Sequence, residues 1–268
     1  MIKIIFCDMD GTLLTSKNEL PDGFDEIISE LKKRGVIFAP ASGRQYFSLH
    51  KTFPKYVDEF LFLGDNGTLV MYKGEEIFSD PLGFENTKKV LEVADTLDKN
   101  ILRVWSGKKN AYILKEQDSP EFQAETEKYY TRNVAVESWS DIDDTPIKVS
   151  LCDRSGHAEK TIYPYVEHFN KNLKVVLASD QWVDITSPEA SKGGAIKNIQ
   201  RTWNILPSEC AAFGDFMNDY EMMQSVEYSF AMANAYPEIK KVAKFETLSN
   251  DDFGVIAGIK KLMAEGLI

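Results

Sequence analysis

The chain has 268 residues, 43% hydrophobic and 27% charged, with a net charge of −11. That length allows one large or two small domains with an ordinary buried core and no need of disulfide staples. The acidic balance argues against a nucleic-acid partner, and any phosphate site must carry its own local positive charge.

The three cysteines, Cys7, Cys152 and Cys210, are odd in number and widely spaced, without a CxxC pair. They read as small buried residues in a reducing compartment, not as a disulfide framework or a zinc site. No apolar stretch reaches the length of a membrane span, and the apolar opening runs into acids too soon for a secretory leader. A cytoplasmic protein with no membrane partner is expected. The oligomeric state is left open, a monomer being compatible with the pattern.

In chain order, Ile2 to Phe6 is a short apolar run without helical period, a buried strand that ends at Asp8-Met9-Asp10-Gly11-Thr12. Phe24, Ile27, Ile28 and Leu31 follow helical spacing, with Gly35 as the stop. Val36 to Ala39 is a second strand, followed by Ser42-Gly43-Arg44, and Phe60 to Leu63 a third, followed by Asp65-Asn66-Gly67. Strand, helix, strand predicts a right-handed parallel crossover, whose loops gather at one sheet edge where α/β ligand sites lie. Lys73-Gly74 marks a hairpin.

From about Pro81 the pattern changes. Helices are expected around Val90 to Leu97, after Ser119-Pro120 and over His157 to Phe169. Strands are expected at Leu102 to Trp105, Ala111 to Leu114, Ile147 to Leu151, Val175 to Ala178 and Trp182 to Ile185. After Pro188 the α/β alternation returns: a helix over Lys192 to Trp203, a strand ending in Gly214-Asp215, a helix near Glu221, a strand over Tyr228 to Met232 and a last helix from about Asp252. The fold class expected is α/β: a Rossmann-like parallel-sheet core (1–81 and 186–268) with an inserted α+β domain (82–185).

Four segments at element boundaries carry candidate chemistry. Asp8 and Asp10, two residues apart at a strand end, would repel each other unless a cation or proton intervened. Asp215 adds a third acid. Carboxylates without histidine suit a hard ion such as Mg²⁺. A carboxylate nucleophile would split hydrolysis into phosphorylation and release, and Asp10 is placed as the acid and base. Ser42 and Gly43 offer donors and close backbone approach, Lys192 a compact positive charge and Asn218 an amide. Alone, each segment reads as ordinary turn or surface chemistry. Their joint appearance in this order points to phosphoryl transfer.

These motifs resemble those of the haloacid dehalogenase-like phosphatases, in particular the Cof-type members with a large inserted cap, along the whole chain. Asp8-Met9-Asp10-Gly11-Thr12 resembles the first motif, Ser42-Gly43-Arg44 the second, Ser191-Lys192-Gly193 the third, and Gly214-Asp215-Phe216-Met217-Asn218-Asp219 the fourth, with a bulkier central pair than is usual. The resemblance implies that Asp8 is nucleophile and metal ligand, that Asp10 is acid and base with its main-chain carbonyl on Mg²⁺, and that Asp215 is the third metal ligand. The Met9 amide, Ser42, Gly43, Lys192 and Asn218 would hold the phosphate. Arg44 and Asn66 are candidate substrate contacts. A phosphatase for small phosphorylated metabolites, sugar phosphates first, is expected. A phosphomutase with the same aspartate is the enzymatic alternative, and a non-catalytic metabolite-binding protein the other.

Overall fold

The Ile4–Asp8 strand forms because all five of its residues are buried, in a run that can face protein on both sides. It pairs in parallel with Ile37–Ala41 on one side and with Cys210–Gly214 on the other. The structure, a computed structural model, describes residues 1–127 and 129–268.

An eight-stranded sheet grows outward from this central strand. Leu61–Gly64 extends it in parallel on one side, and Leu69–Tyr72 and Glu75–Ser79 continue antiparallel. Tyr228–Ala231 and Phe245–Glu246 extend it in parallel on the other side. The chain thus leaves the central strand to one side and later returns to the other, which makes a switch point at the carboxyl ends of Ile4–Asp8 and Cys210–Gly214.

The helices beside this sheet follow from their sequence. Phe24–Lys33 buries Phe24, Ile27, Ile28 and Leu31, with Asp25 and Glu26 in its first turn and lysines in its last, as the helix dipole favours. Lys192–Trp203 starts where the Ser191 hydroxyl accepts from the Gly194 amide at 3.0 Å, and ends at left-handed Asn204.

The chain forms two compact units, Met1–Ser79 with Ser191–Ile268, and Asp80–Ala190. The second has its own six-stranded sheet, mainly antiparallel, with Pro146–Cys152 near its middle. Alternation along that strand sends Val149 and Leu151 to one apolar cluster with Val90 and Leu91, and Cys152 to another with Leu102, Val104 and Trp182.

Local details differ from the sequence reading. The opening strand is shifted to Ile4–Asp8, because pairing with two neighbours sets its length, so Asp8 is its last residue. The single helix expected over His157 to Phe169 is broken into Ala158–Thr161, Tyr163–Val166 and a 3-10 segment, since Pro164 lacks the amide that a continuous helix would use. A further strand, Asn133–Val136, pairs in parallel with Ala111–Leu114. A short helix, Pro237–Val242, precedes the edge strand Phe245–Glu246. Among the described residues no helix is long and apolar enough to cross a membrane.

Candidate active site

Every candidate segment of the first unit follows a parallel strand at its carboxyl end or opens a helix there. Asp8 ends the central strand, Ser42 follows Ile37–Ala41, Asn66 follows Leu61–Gly64, Asp215 follows Cys210–Gly214 and Lys192 begins Lys192–Trp203.

Lys192 is fully buried, and its ammonium donates to Asp8 Oδ1 and, at 2.7 Å, to Asp219 Oδ1. The other oxygen of Asp219 accepts from the amides of Asp215 at 2.9 Å and Phe216 at 3.1 Å. Asp219 therefore ties the cation to the loop that carries Asp215. Thr12 Oγ1 donates to Asp215 Oδ1 at 2.8 Å, which joins the first loop to the fourth. The loops also meet at Gly11, whose φ is +77° and where a Cβ would lie 2.5 Å from Asp215 Oδ2. Only glycine meets both conditions without strain.

Electrostatics follow from this packing. Burial pushes the Asp8 carboxyl well above the usual carboxylate range; Asp219 and Asp215 add to the rise, and Lys192 opposes it. Burial also raises Asp215, with Asp219 contributing, to about 6, while Thr12 works the other way. For Lys192, burial disfavours the charge, but Asp219 and Asp8 outweigh it and the ammonium is held above its ordinary value. Positive charge is thus fixed where the acidic chain needs it.

Asp8, Asp215 and Asp219 each bring a carboxylate oxygen within 4.8 Å of the others. Such acids relieve their mutual repulsion by binding protons or a cation, and all-oxygen donors fit a hard metal ion. Asp219 is engaged through both oxygens, so Asp8 and Asp215 are the better candidate ligands.

A second group of residues surrounds Asn66. Its φ is +57°, its amide donates to Ser42 O at 2.8 Å, and its side-chain oxygen accepts from Asn218 Nδ2 at 3.1 Å. A Cβ on Gly43 would lie 3.3 Å from Asn66 Nδ2. Buried Ser42 accepts at Oγ from the Arg44 amide at 3.1 Å. The side chain of Met9 is buried in the core of this unit, which leaves only its main chain for a role at the site. The Asp10 carboxylate is held by the Arg44 guanidinium.

Sequence reasoning missed Asn234. It follows Tyr228–Ala231 at the same sheet edge and donates from Nδ2 to Gly11 O at 2.8 Å. A polar residue just beyond a parallel strand was the available signal. In the second unit, Arg103 is buried and donates to Ala94 O and Ile101 O, with an ion pair to Asp95 at 3.3 Å, so its charge serves that unit's own packing.

The site therefore defines a class: buried acids and one lysine at the switch point of a parallel sheet. The chain belongs to the haloacid dehalogenase-like hydrolases, whose family model matches residues 5–259. It is a phosphatase of that family. It is 30% identical over 268 residues to the 5-amino-6-(5-phospho-D-ribitylamino)uracil phosphatase YbjI of Escherichia coli (strain K12), which covers 98% of this chain and 96% of that one. The crystal structure of SMU.1108c from Streptococcus mutans UA159 superposes with a TM-score of 0.85 at 26% identity, over 98% of this chain and 100% of that one. The subclass IIB sugar phosphatase BT4131 shares the fold, with a TM-score of 0.77 at 20% identity over 99% of this chain and 100% of that one.

Proposed function

We propose that the protein hydrolyses small phosphorylated metabolites, sugar phosphates first among them, through a phospho-aspartate on Asp8. The observation that carries this reading is the fully buried Lys192 bonded to both Asp8 and Asp219. An ammonium kept charged beside a carboxylate at the open edge of a sheet suits a nucleophile that must receive a dianionic group. The Escherichia coli relative is itself named for a small phosphorylated compound.

In the first step an Asp8 oxygen attacks phosphorus and the bond from phosphorus to the ester oxygen breaks. Asp10, in its protonated form, gives its proton to that oxygen, and the alcohol leaves. In the second step Asp10, now a carboxylate, takes a proton from water as the water oxygen attacks phosphorus. The bond between Asp8 and phosphorus breaks, inorganic phosphate leaves and Asp10 is again protonated. Water and ester become alcohol and phosphate, with both aspartates restored. Mg²⁺, with Asp8, Asp215 and the Asp10 carbonyl as its protein ligands, would offset the repulsion between nucleophile and phosphate. Lys192, Ser42, Gly43, Asn218 and the Met9 amide would bind the phosphate oxygens, and Asn66 would orient Asn218. The inserted unit, 80–190, would serve as the cap domain.

The test is phosphate release from para-nitrophenyl phosphate and from a panel of sugar phosphates, nucleotides and phosphorylated cofactors, with Mg²⁺ and with EDTA. Asp8→Asn should lower release by roughly a thousandfold or more while far-UV circular dichroism is unchanged. EDTA should stop wild-type turnover and Mg²⁺ restore it. Full activity in Asp8→Asn would sink the covalent route. Isomeric products without free phosphate would mean transfer back to substrate instead.

A further inference from the structure

Asp10 and Arg44 meet in a way that the motif reading does not predict. Arg44 Nε donates to Asp10 Oδ2 at 3.0 Å and Nη2 donates to Asp10 Oδ1, so the guanidinium grips both oxygens of one carboxylate. Nη2 also donates to Asn18 Oδ1 at 3.1 Å. Asn18 sits in a left-handed turn (φ +61°) closed by its own amide on Thr15 O at 2.8 Å. The Arg44 backbone is pinned at both ends, its amide by Ser42 Oγ at 3.1 Å and its carbonyl by the Asp65 amide at 2.9 Å.

The two partners differ in exposure. The Asp10 side chain is 58% exposed and that of Arg44 only 20%. An exposed carboxylate on a loop would otherwise turn among its rotamers. Held by a planar fork that is itself tied to Asn18 and to a fixed backbone, it keeps one orientation. An ion pair with one partner so exposed adds little stability, so stability alone is a weak reason for this construction.

We propose that Arg44 is the positioning residue of Asp10, fixing the carboxyl group that gives a proton to the leaving oxygen and later takes one from water. This rests on the reading of Asp10 as acid and base. On this reading Arg44 acts through Asp10, with Nε and Nη2 engaged there, and not as a substrate contact.

Leaving-group dependence separates the roles. The value of kcat/KM reports the steps up to loss of the alcohol. An alkyl leaving group needs the Asp10 proton there, whereas nitrophenolate leaves without it. The experiment compares wild type, Arg44→Ala, Asp10→Asn and the double variant on the best alkyl phosphate of the panel and on para-nitrophenyl phosphate, with Mg²⁺ present and folding checked by circular dichroism. Arg44→Ala should lower kcat/KM for the alkyl phosphate about tenfold to a hundredfold, and that for para-nitrophenyl phosphate by no more than about threefold. Arg44→Lys, which lacks the fork, should not restore the loss. Asn18→Ala, which removes only the outer tie, should give a smaller loss with the same leaving-group pattern.

In the Asp10→Asn background, removal of Arg44 should change either substrate by less than about twofold, because a residue that acts only through Asp10 has nothing left to act on. Equal losses on both substrates, or a second full loss in the double variant, would mean that Arg44 binds substrate, and would overturn the proposal. An unchanged alkyl rate in Arg44→Ala would overturn it too. If instead Asp10→Asn itself leaves the alkyl rate intact, the acid–base assignment of Asp10 falls first.

Discussion

Lys192 is surrounded by opposing effects whose balance decides its state. Full burial disfavours its charge, yet Asp8 and Asp219 lie against the ammonium and hold it protonated. Removal of the ammonium would leave two buried acids facing each other. Lys192→Ala should therefore cost the metal-free protein roughly 3–5 kcal/mol, read by urea unfolding in EDTA. It should also lower phosphate release at least about a hundredfold. An unchanged unfolding midpoint would mean that the acids there are already neutral. In sequence Lys192 looks like any lysine in the first turn of a helix; only Ser191 and Gly193 beside it, and the motifs elsewhere, single it out. Asp219 shows the reverse case. Its dual bond, to Lys192 and to the 215–216 amides, depends on a loop geometry that no local pattern encodes.

Among the elements, the parallel strands were the most legible, because each is a short apolar run with a polar or glycine-rich stop. Placing those stops at one edge follows from the parallel pairing of the strands. The loop after the first strand is built around Gly11, where left-handed backbone and close approach to Asp215 coincide. Gly11→Ala should destabilise the protein by about 1–3 kcal/mol through backbone strain. It should impair phosphate release more than its stability loss explains, since the displaced atom is Asp215 Oδ2. A variant with wild-type kcat and a lowered melting temperature would show that the loop yields elsewhere. Less legible were Asn133–Val136, a weak strand made by its neighbour Ala111–Leu114, and the region after His157, where apolar spacing suggests one helix and Pro164 divides it.

For the whole molecule, the acidic cluster should couple stability to pH and to a bound divalent ion. Asp215 titrates at about 6 in the metal-free fold against an ordinary value of 3.8, and Asp8 is also raised. A carboxyl raised on folding means that the folded state binds more protons. Its stabilising contribution is complete below the ordinary value and is lost as pH rises through the folded one. Asp215's share of the metal-free protein's stability should therefore fall between about pH 4 and pH 6, and Asp8, raised as well, adds a fall of its own. A divalent ion needs the deprotonated acids, so the rise in Tm on adding Mg²⁺ should be small near pH 5 and larger at pH 7.5, reaching the equivalent of about 2.7 kcal/mol at a hundred times Kd. Scanning calorimetry in EDTA and in Mg²⁺ across that range checks it. Equal Mg²⁺ shifts at both ends would rule out these acids as the coupled ligands.

By itself the sequence determined the kind of chemistry and the class of fold. Acids, glycines, a serine and a lysine stand at the ends of apolar runs, and apolar period and turn residues are local properties of a chain. Tertiary structure alone decided which groups touch: Lys192 with Asp8 and Asp219, Thr12 with Asp215, Asn234 with Gly11, and Arg44 with Asp10. These pairs join residues between 27 and 223 positions apart. Their geometry is set by sheet order and register, and at that range no spacing rule operates.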